Sequence, residues 1–331
     1  MQRRKLTTLV ALATLSMTLA GTASAQQSSP LLNKTLKIVV GFPPGGSADI
    51  LARALARQLE GLAPAVIVDN KPGAGGRLAL ETVKNAEADG STVVLSPASM
   101  IVLYPHLYKK LSYNPASDFA AVGRVAAAPF VFAVGPAVPS TVKNLADFAQ
   151  WANANPNQAA YGSSGAGSMP HFTGVSLGKS MKVDMLHVAY KGAAPAMTDL
   201  IGGQVTANVS VMSNALPQIQ AGKVRALAVS SPQRSPALPQ TPTLAELGHP
   251  EATAIEWFGV FAPAKTPANV VAALNKAITD ATRTKAFQDV LAKGAFESVP
   301  AEAPAAFATA VQSDINRWGP VVKASGFTPE D

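Results

Sequence analysis

The sequence predicts an α/β protein of two lobes with a ligand cleft between them. Strand-like apolar runs alternate with amphipathic runs of helical period almost throughout, the pattern of parallel sheets covered by helices. A second observation is the apolar run from Val122 to Val134, interrupted only by Gly123, Arg124 and Pro129, which has the length of a chain crossing from one lobe to the next.

The first unit carries the most information. Leu36, Ile38, Val39, Val40 and Phe42 read as a short strand that Pro43, Pro44, Gly45 and Gly46 break. From Asp49 the apolar residues fall at Leu51, Leu55 and Leu59 with Arg53 and Arg57 between, a helix with a charged outer face. Such a junction makes an anion site. Glycine lets the backbone approach a bound group, and the unpaired first-turn amides point at it with about half a positive charge. Next come strand Val66 to Asp69, the turn from Lys71 to Gly76, a helix from Leu78 to Ala86, the Asp89-Gly90 turn and strand Thr92 to Leu95.

Pro136 and Pro139 punctuate the chain after the crossing, and a second series follows. It runs through helix Val142 to Ala154, strand Ala159 to Gly162, helix Pro170 to Met181, strand Met185 to Tyr190, helix Ala194 to Ile201, strand Val205 to Val211, helix Ala215 to Ala221 and strand Val224 to Val229. The Pro-rich segment Ser231 to Thr243 leaves this unit, and Ile255 to Phe261 reads as a return strand. Helices Pro267 to Ala281, Lys285 to Ala292 and Ala303 to Trp318 complete the chain. No internal repeat of fixed period is evident. Two crossings place a cleft between the lobes, where loops at strand carboxyl ends converge.

The N-terminus reads as a secretory signal peptide over residues 1–25. Arg3, Arg4 and Lys5 form a basic start, Leu6 to Ala20 is mostly apolar, and Ala23-Ser24-Ala25 fits a small-residue cleavage site. No cysteine occurs, so neither a lipid-anchored cysteine, a disulfide nor a thiolate metal site is expected. A Gram-negative periplasm fits best. Of the 27 basic residues three lie in the leader, which leaves 24 against 20 acidic ones, about +4 and dispersed. That balance, with few aromatics and no basic stripe among them, argues against nucleic acid. A weakly positive field favours small anions.

Four strand-end loops rich in Gly, Ser or Pro are cleft candidates: Phe42 to Asp49, Ser96 to Met100, Gly162 to His171 and Tyr190 to Ala194. The third, read with its tyrosine, is YGSSGAGSMPH. Its Ser163, Ser164 and Ser168 offer hydroxyls before another helix start, so two helix starts on opposite lobes are suited to grip both ends of a dicarboxylate or to fold over a monocarboxylate. Gly and Ser at strand ends also serve as simple turns, and Asp49 also fits a first-turn helix stabiliser. Lys191 fits a solvated rim charge. Phe42 and Trp257 fit a pocket wall or, for Trp257, the core.

Enzyme motifs fail on inspection. FPPGGSAD lacks the Gly-Lys-Ser/Thr ending of a phosphate loop, and Gly165-Ala166-Gly167 and Gly73-Ala74-Gly75 lack the third glycine of a dinucleotide fingerprint. Gly162-Ser163-Ser164-Gly165-Ala166 misses the fifth position of a hydrolase elbow. His106, His171, His187 and His249 have no metal-ligand spacing. No cofactor and no metal are expected.

GFPPGGSADILARALA, DNKPGAGG, the Asp89-Gly90-Ser91-Thr92 turn, YGSSGAGSMPH, HVAYKGAAPAMTDLIGGQV, VRALAVSSPQRSPALPQTPTLAEL and FGVFAPAKTP together resemble the Bug family, also called the TctC type. These are extracytoplasmic receptors of tripartite tricarboxylate transporters. The resemblance runs from Leu36 to the C-terminal helices. It implies a type II periplasmic-binding-protein fold, with lobe 1 from residues 26–126 plus 254–331 and lobe 2 from residues 127–253. It implies a carboxylate bound by backbone amides, hydroxyls and waters, often without a salt bridge. By motif it points to Phe42, Pro43, Gly46, Ser47, Ala48 and Asp49 on one lobe, and to Ser163, Ser164, Gly167, Ser168 and His171 with Tyr190, Lys191 and Gly192 on the other. The sequence departs from the family at Ala189, where proline is usual and which borders the cleft, and at Lys71 and Lys265. The expected protein is a monomeric, non-enzymatic receptor that hands a small organic carboxylate to a membrane permease. Amino acids, nicotinate-like aromatics, citrate and dicarboxylates remain open as ligands. The competing readings are a secreted serine hydrolase using Ser163 or Ser164 with His171, and a sensor that presents its closed form to a signalling partner.

Overall fold

Strand β1 (Leu36–Val40) buries Ile38, Val39 and Val40 completely because it lies between two parallel neighbours, β2 (Val66–Asn70) and β3 (Thr92–Pro97). The computed structural model describes residues 32–327, so the leader read at residues 1–25 lies outside it. Helix α1 (Ser47–Gln58) covers this sheet with Leu51, Ala52 and Leu55, and α2 (Arg77–Lys84) covers it with Ala79, Leu80 and Val83. After β3 the chain does not form the loop expected at Ser96 to Met100. It winds into a buried π-helical turn, Ser99–Leu103, continued by α3 (Tyr104–Leu107). A short α4 (Pro115–Asp118), capped by Asn114, then leads into the long strand.

That strand, β4 (Phe119–Val134), spans 16 residues. Its first part pairs antiparallel with β9 (Ile255–Pro263) from Phe119↔Pro263 to Pro129↔Ile255. From Phe130 to Val134 it pairs instead with β7 (Ala207–Val211) and β8 (Arg225–Val229). The apolar run read as a crossing is therefore one continuous strand that belongs to two sheets. The second sheet is completed by β5 (Ala160–Ser163), parallel to β7 and to β6 (Leu186–Ala189). The strand orders match: β2-β1-β3-β9-β4 in the first half and β6-β5-β7-β4-β8 in the second. A repeat exists in topology although none is visible in sequence.

The second sheet carries α5 (Leu145–Ala154), α6 (Met169–Met181), α7 (Ala193–Ile201) and α8 (Met212–Gln220). Helix α8 starts one turn before the expected Ala215, because Ser213 and Asn214, residue types that usually precede a helix, lie inside it after an N-cap at Val211. The chain closes with α9 (Ala268–Arg283), α10 (Lys285–Lys293) and α11 (Pro304–Ser325). Helix α11 runs on past Trp318 and through Pro320, holding Val322 in the core. One large apolar cluster reaches both sheets, and a smaller one formed by Val131, Met197, Leu200, Met212 and Leu216 lies under α7 and α8.

Helix α6 approaches β5 unusually closely. A Cβ on Gly174 would stand 2.2 Å from Cε2 of the Tyr161 ring. That ring is buried, and its hydroxyl donates to the His171 carbonyl at 2.8 Å. Gly174→Ala improves helix propensity by ~1 kcal/mol, but overpacking at such a site costs about 1–3 kcal/mol. The expected outcome is a lower urea midpoint with an unchanged m-value; a midpoint at or above wild type contradicts this packing.

Candidate functional site

Every parallel strand except β2 ends at the same cavity. It is lined after β1 by Phe42, Gly46, Ser47 and Ala48, at the end of β3 by Pro97 and beyond it by Ser99 and Tyr104, and after β5 by Ser164, Gly165 and Ser168. Ala193 follows β6, Val211 ends β7 and Asn214 follows it, and Glu256 and Phe258 project from β9. Its volume of about 50 Å³ is several times the ~10–15 Å³ that admits one water. Among the described residues no lysine or arginine lines it.

Backbone donors supply the missing positive charge. Helix α1 has Gly46 as its N-cap, α7 has Gly192 and α8 has Val211, and none of the three makes a side-chain capping bond. The first turns of all three border the cavity. Their first-turn amides lack intrahelical partners and carry the positive end of each helix dipole, which suits a carboxylate. Gly192 is needed for this approach: its φ is +117°, and a Cβ there would lie 3.2 Å from Cδ of Pro43.

The sequence reading paired the α1 start with the start of α6, and here the structure differs. The Met169 amide donates to Oγ of Ser99 at 2.9 Å, Pro170 has no N–H, and the His171 amide donates to Oγ of Ser168 at 3.4 Å. The first turn of α6 is thus spent on the protein itself. Facing α1 is α8 instead. Oγ of Ser47 lies 2.7 Å from Oγ of Ser213 and accepts from Nδ2 of Asn214 at 2.9 Å. Ser213 and Asn214 were missed because their helix was read as starting later.

Of the expected site residues, Phe42, Gly46, Ser47, Ala48, Ser164 and Ser168 line the cavity. Pro43 packs at its rim against Gly192. Asp49 lies beneath the loop, where it accepts from the Gly45 amide, Nε of Arg53 and Nδ2 of Asn70, each at 2.9 Å. Burial works against its charge, but these bonds outweigh burial and hold the carboxyl below the usual range. Tyr190 turns away to donate to Asp199 at 2.9 Å, and Lys191 is exposed. Gly167 and His171 form a closed contact behind the wall, the Gly167 amide donating to Nδ1 of His171 at 3.1 Å. Trp257 belongs to the core, stacked edge-on to Phe307, with its indole donating to Asp314.

The serine and histidine pairing also differs from expectation. Ser163, fully buried, lies 2.7 Å from Nε2 of His187 rather than against His171, and it does not line the cavity. Ser164 lines the cavity without a histidine partner. His171 stacks on His187 with centroids 3.8 Å apart. Among the described residues no group of three or more His, Asp or Glu is placed to hold a metal ion.

The carboxyl of Glu256 is the one acidic group in the cavity lining, and it is 3 % exposed. Oε1 accepts from the Ser99 amide at 2.8 Å, and Ser99 Oγ lies 2.9 Å from Oε2. Burial pushes its pKa up to about 7, against the pull of these bonds and of the Ala98 amide. Burial also drives His171 down to about 4 and His187, beside it, to about 3.

These shifts have opposite signs in linkage. Each histidine stays neutral in the fold while the unfolded chain takes up a proton below its ordinary value near 6.5. Its contribution is therefore complete above that pH and is lost on acidification, by about 1.4 kcal/mol per pH unit. Glu256 binds a proton in the fold that the unfolded chain has released, so its contribution is lost as pH rises from about 4.5 towards 7. Two histidines outweigh one glutamate between pH 6.5 and 5. Urea denaturation of the wild type is expected to show a net loss of about 2 kcal/mol across that window, and His187→Gln is expected to remove most of it.

Comparison with known proteins places this geometry. A family model described as "Tripartite tricarboxylate transporter family receptor" matches residues 50–327. Protein BugT of Bordetella pertussis (strain Tohama I) is 32% identical over 323 residues, 97% of this chain and 98% of that protein. The solved structure of the periplasmic binding protein BugD superposes with a TM-score of 0.85 at 31% identity, covering 90% of this chain and 100% of that one. MatC from Rhodopseudomonas palustris, solved with bound malate, gives a TM-score of 0.80 at 31% identity, with 87% and 99% covered. The fold is that of periplasmic binding proteins, two α/β lobes of mixed sheet.

Proposed function

Because the chain belongs to the tripartite tricarboxylate transporter receptor family, we propose that it is a periplasmic receptor that captures a small organic carboxylate and delivers it to a permease of that transporter type. The family is one of substrate-binding receptors. The observation that carries the reading is the convergence of three helix starts without side-chain caps on a cavity that holds no basic side chain. MatC, a relative of the same architecture, was solved with malate.

The lobes assigned are residues 26–126 with 254–331, and residues 127–253. The hand-over of β4 from β9 to β7 and β8 between Pro129 and Phe130 supports a hinge there. The carboxylate lies against the α1 amides in the open form and gains the α7 and α8 starts on closure. Only that difference in contacts shifts the open–closed balance. Ser47, bonded to Ser213 and Asn214, latches the closed form. The permease then reads the closed lobes. Among the described residues no helix is long and apolar enough to cross a membrane. Delivery to the periplasm is assigned to the leader at residues 1–25.

Two measurements test the reading. In a thermal-shift panel of mono-, di- and tricarboxylates on ligand-stripped protein, at least one compound is expected to raise the melting temperature, since ligand at 100 times its dissociation constant adds about 2.7 kcal/mol. A flat panel sinks the proposal. Ser47→Ala removes two closed-state bonds at ~0.5–1.5 kcal/mol each. The expected result is carboxylate affinity weakened roughly tenfold by calorimetry, with a more expanded liganded form in X-ray scattering.

A further inference from the structure

The cavity has a second pole that carboxylate capture does not use. Glu256 projects from β9 into the lining, among Tyr104, Phe258 and Pro97. Its protein partners are Ser99 and the Ala98 amide, all of them donors to an acceptor, and among the described residues it forms no ion pair with a lysine, arginine or histidine. A buried carboxylate without a cation is costly unless a cation arrives from elsewhere. The carboxyl is nevertheless fixed in place. Met169 donates to Ser99 Oγ, which in turn bonds the carboxyl, so its orientation is set from both sides of the cleft.

We propose that Glu256 is a specificity-determining residue that receives a protonated nitrogen of the ligand, so the preferred substrates are small carboxylates that also carry an amine, rather than dicarboxylates. The inference rests on the carboxylate-receptor reading and deepens it. At one pole the starts of α1, α7 and α8 offer backbone donors, and at the other Glu256 offers acceptor oxygens beside Tyr104, Phe258 and Pro97. A zwitterion matches both poles. In the closed cavity the ammonium is attracted to the carboxylate far more strongly than in water. A second carboxylate at the same place meets a like charge, or forces one of the two acids to hold a proton. Glu256 lies near neutrality in its titration, which suits a group whose charge is stabilised when the cation arrives.

The test is calorimetry at pH 7 on ligand-stripped protein with matched sets on one skeleton: an amino carboxylate, the diacid in which carboxylate replaces the amine, and the analogue in which methyl replaces it. 4-Aminobutyrate, glutarate and pentanoate form one set, and sets of two to six carbons are run, including 2-amino acids. The expected result is at least one amino carboxylate bound ten times more tightly than both its analogues, with that ratio falling below three in Glu256→Gln. If diacids or methyl analogues bind as well as their amines in every set, Glu256 does not select a cation, while the carboxylate reading stands. A ratio that persists in a folded Glu256→Gln overturns the role of this residue. If no carboxylate of any set binds, the selection of an amine falls, and the carboxylate reading falls with it only when the tricarboxylates of the thermal-shift panel fail as well. The wild-type panel decides the selection even if the variant does not fold.

Discussion

A β-strand can serve two sheets only if its ladder changes partners along its length, and β4 does so over 16 residues. Its pairing with β9, and then with β7 and β8, fixes the orientation of each sheet through backbone hydrogen bonds rather than through side chains. Because both halves use the same strand order around it, the carboxyl ends of β1, β3, β5, β6 and β7 arrive at one place. The cavity follows from that geometry, as ligand sites in α/β sheets generally do. The small residues on β4 and β9, such as Ala126, Ala128 and Gly259, let large rings pack over them, as Phe307 does over Gly259.

Electrostatics at the site is built from the backbone of three helix starts and a single carboxyl. A basic side chain in so small a cavity would bring its own desolvation cost and a long flexible stem. A helix start supplies partial positive charge already fixed in position. In the proposed receptor, that arrangement recognises a carboxylate group without regard to what it is attached to. Discrimination among ligands must therefore come from the rest of the lining, where Glu256 is the strongest local feature.

Several polar residues that look functional in sequence turn out to hold the loops in shape. Asp49 ties the glycine turn to Arg53 and Asn70, so Gly46, Ser47 and Ala48 present their backbone in a set position. Ser163 bonds His187, which stacks on His171, so both ends of YGSSGAGSMPH are tied to β6. Burial lowers the proton affinity of the two histidines, and neither of them lines the cavity. A serine beside a histidine in sequence carries no information on whether water or substrate reaches either.

Sequence alone determined what depends on local periodicity and turn chemistry: the alternation of strands and helices, the strand–glycine–helix junction at residues 36–59 and the crossing at Val122 to Val134. These are set by neighbours within a few positions, where side-chain pattern and backbone freedom act directly. Tertiary structure decided which helix start faces α1. The amides of α6 are consumed by its own N-cap Ser168 and by Ser99, a contact that local sequence does not contain, and α8 takes its place through Ser213 and Asn214. It also decided that Glu256, one acidic residue in an apolar strand, faces the cavity while its neighbour Trp257 faces the core. Strand alternation places the two on opposite faces, but which face becomes the cleft is fixed only when the second sheet closes over it.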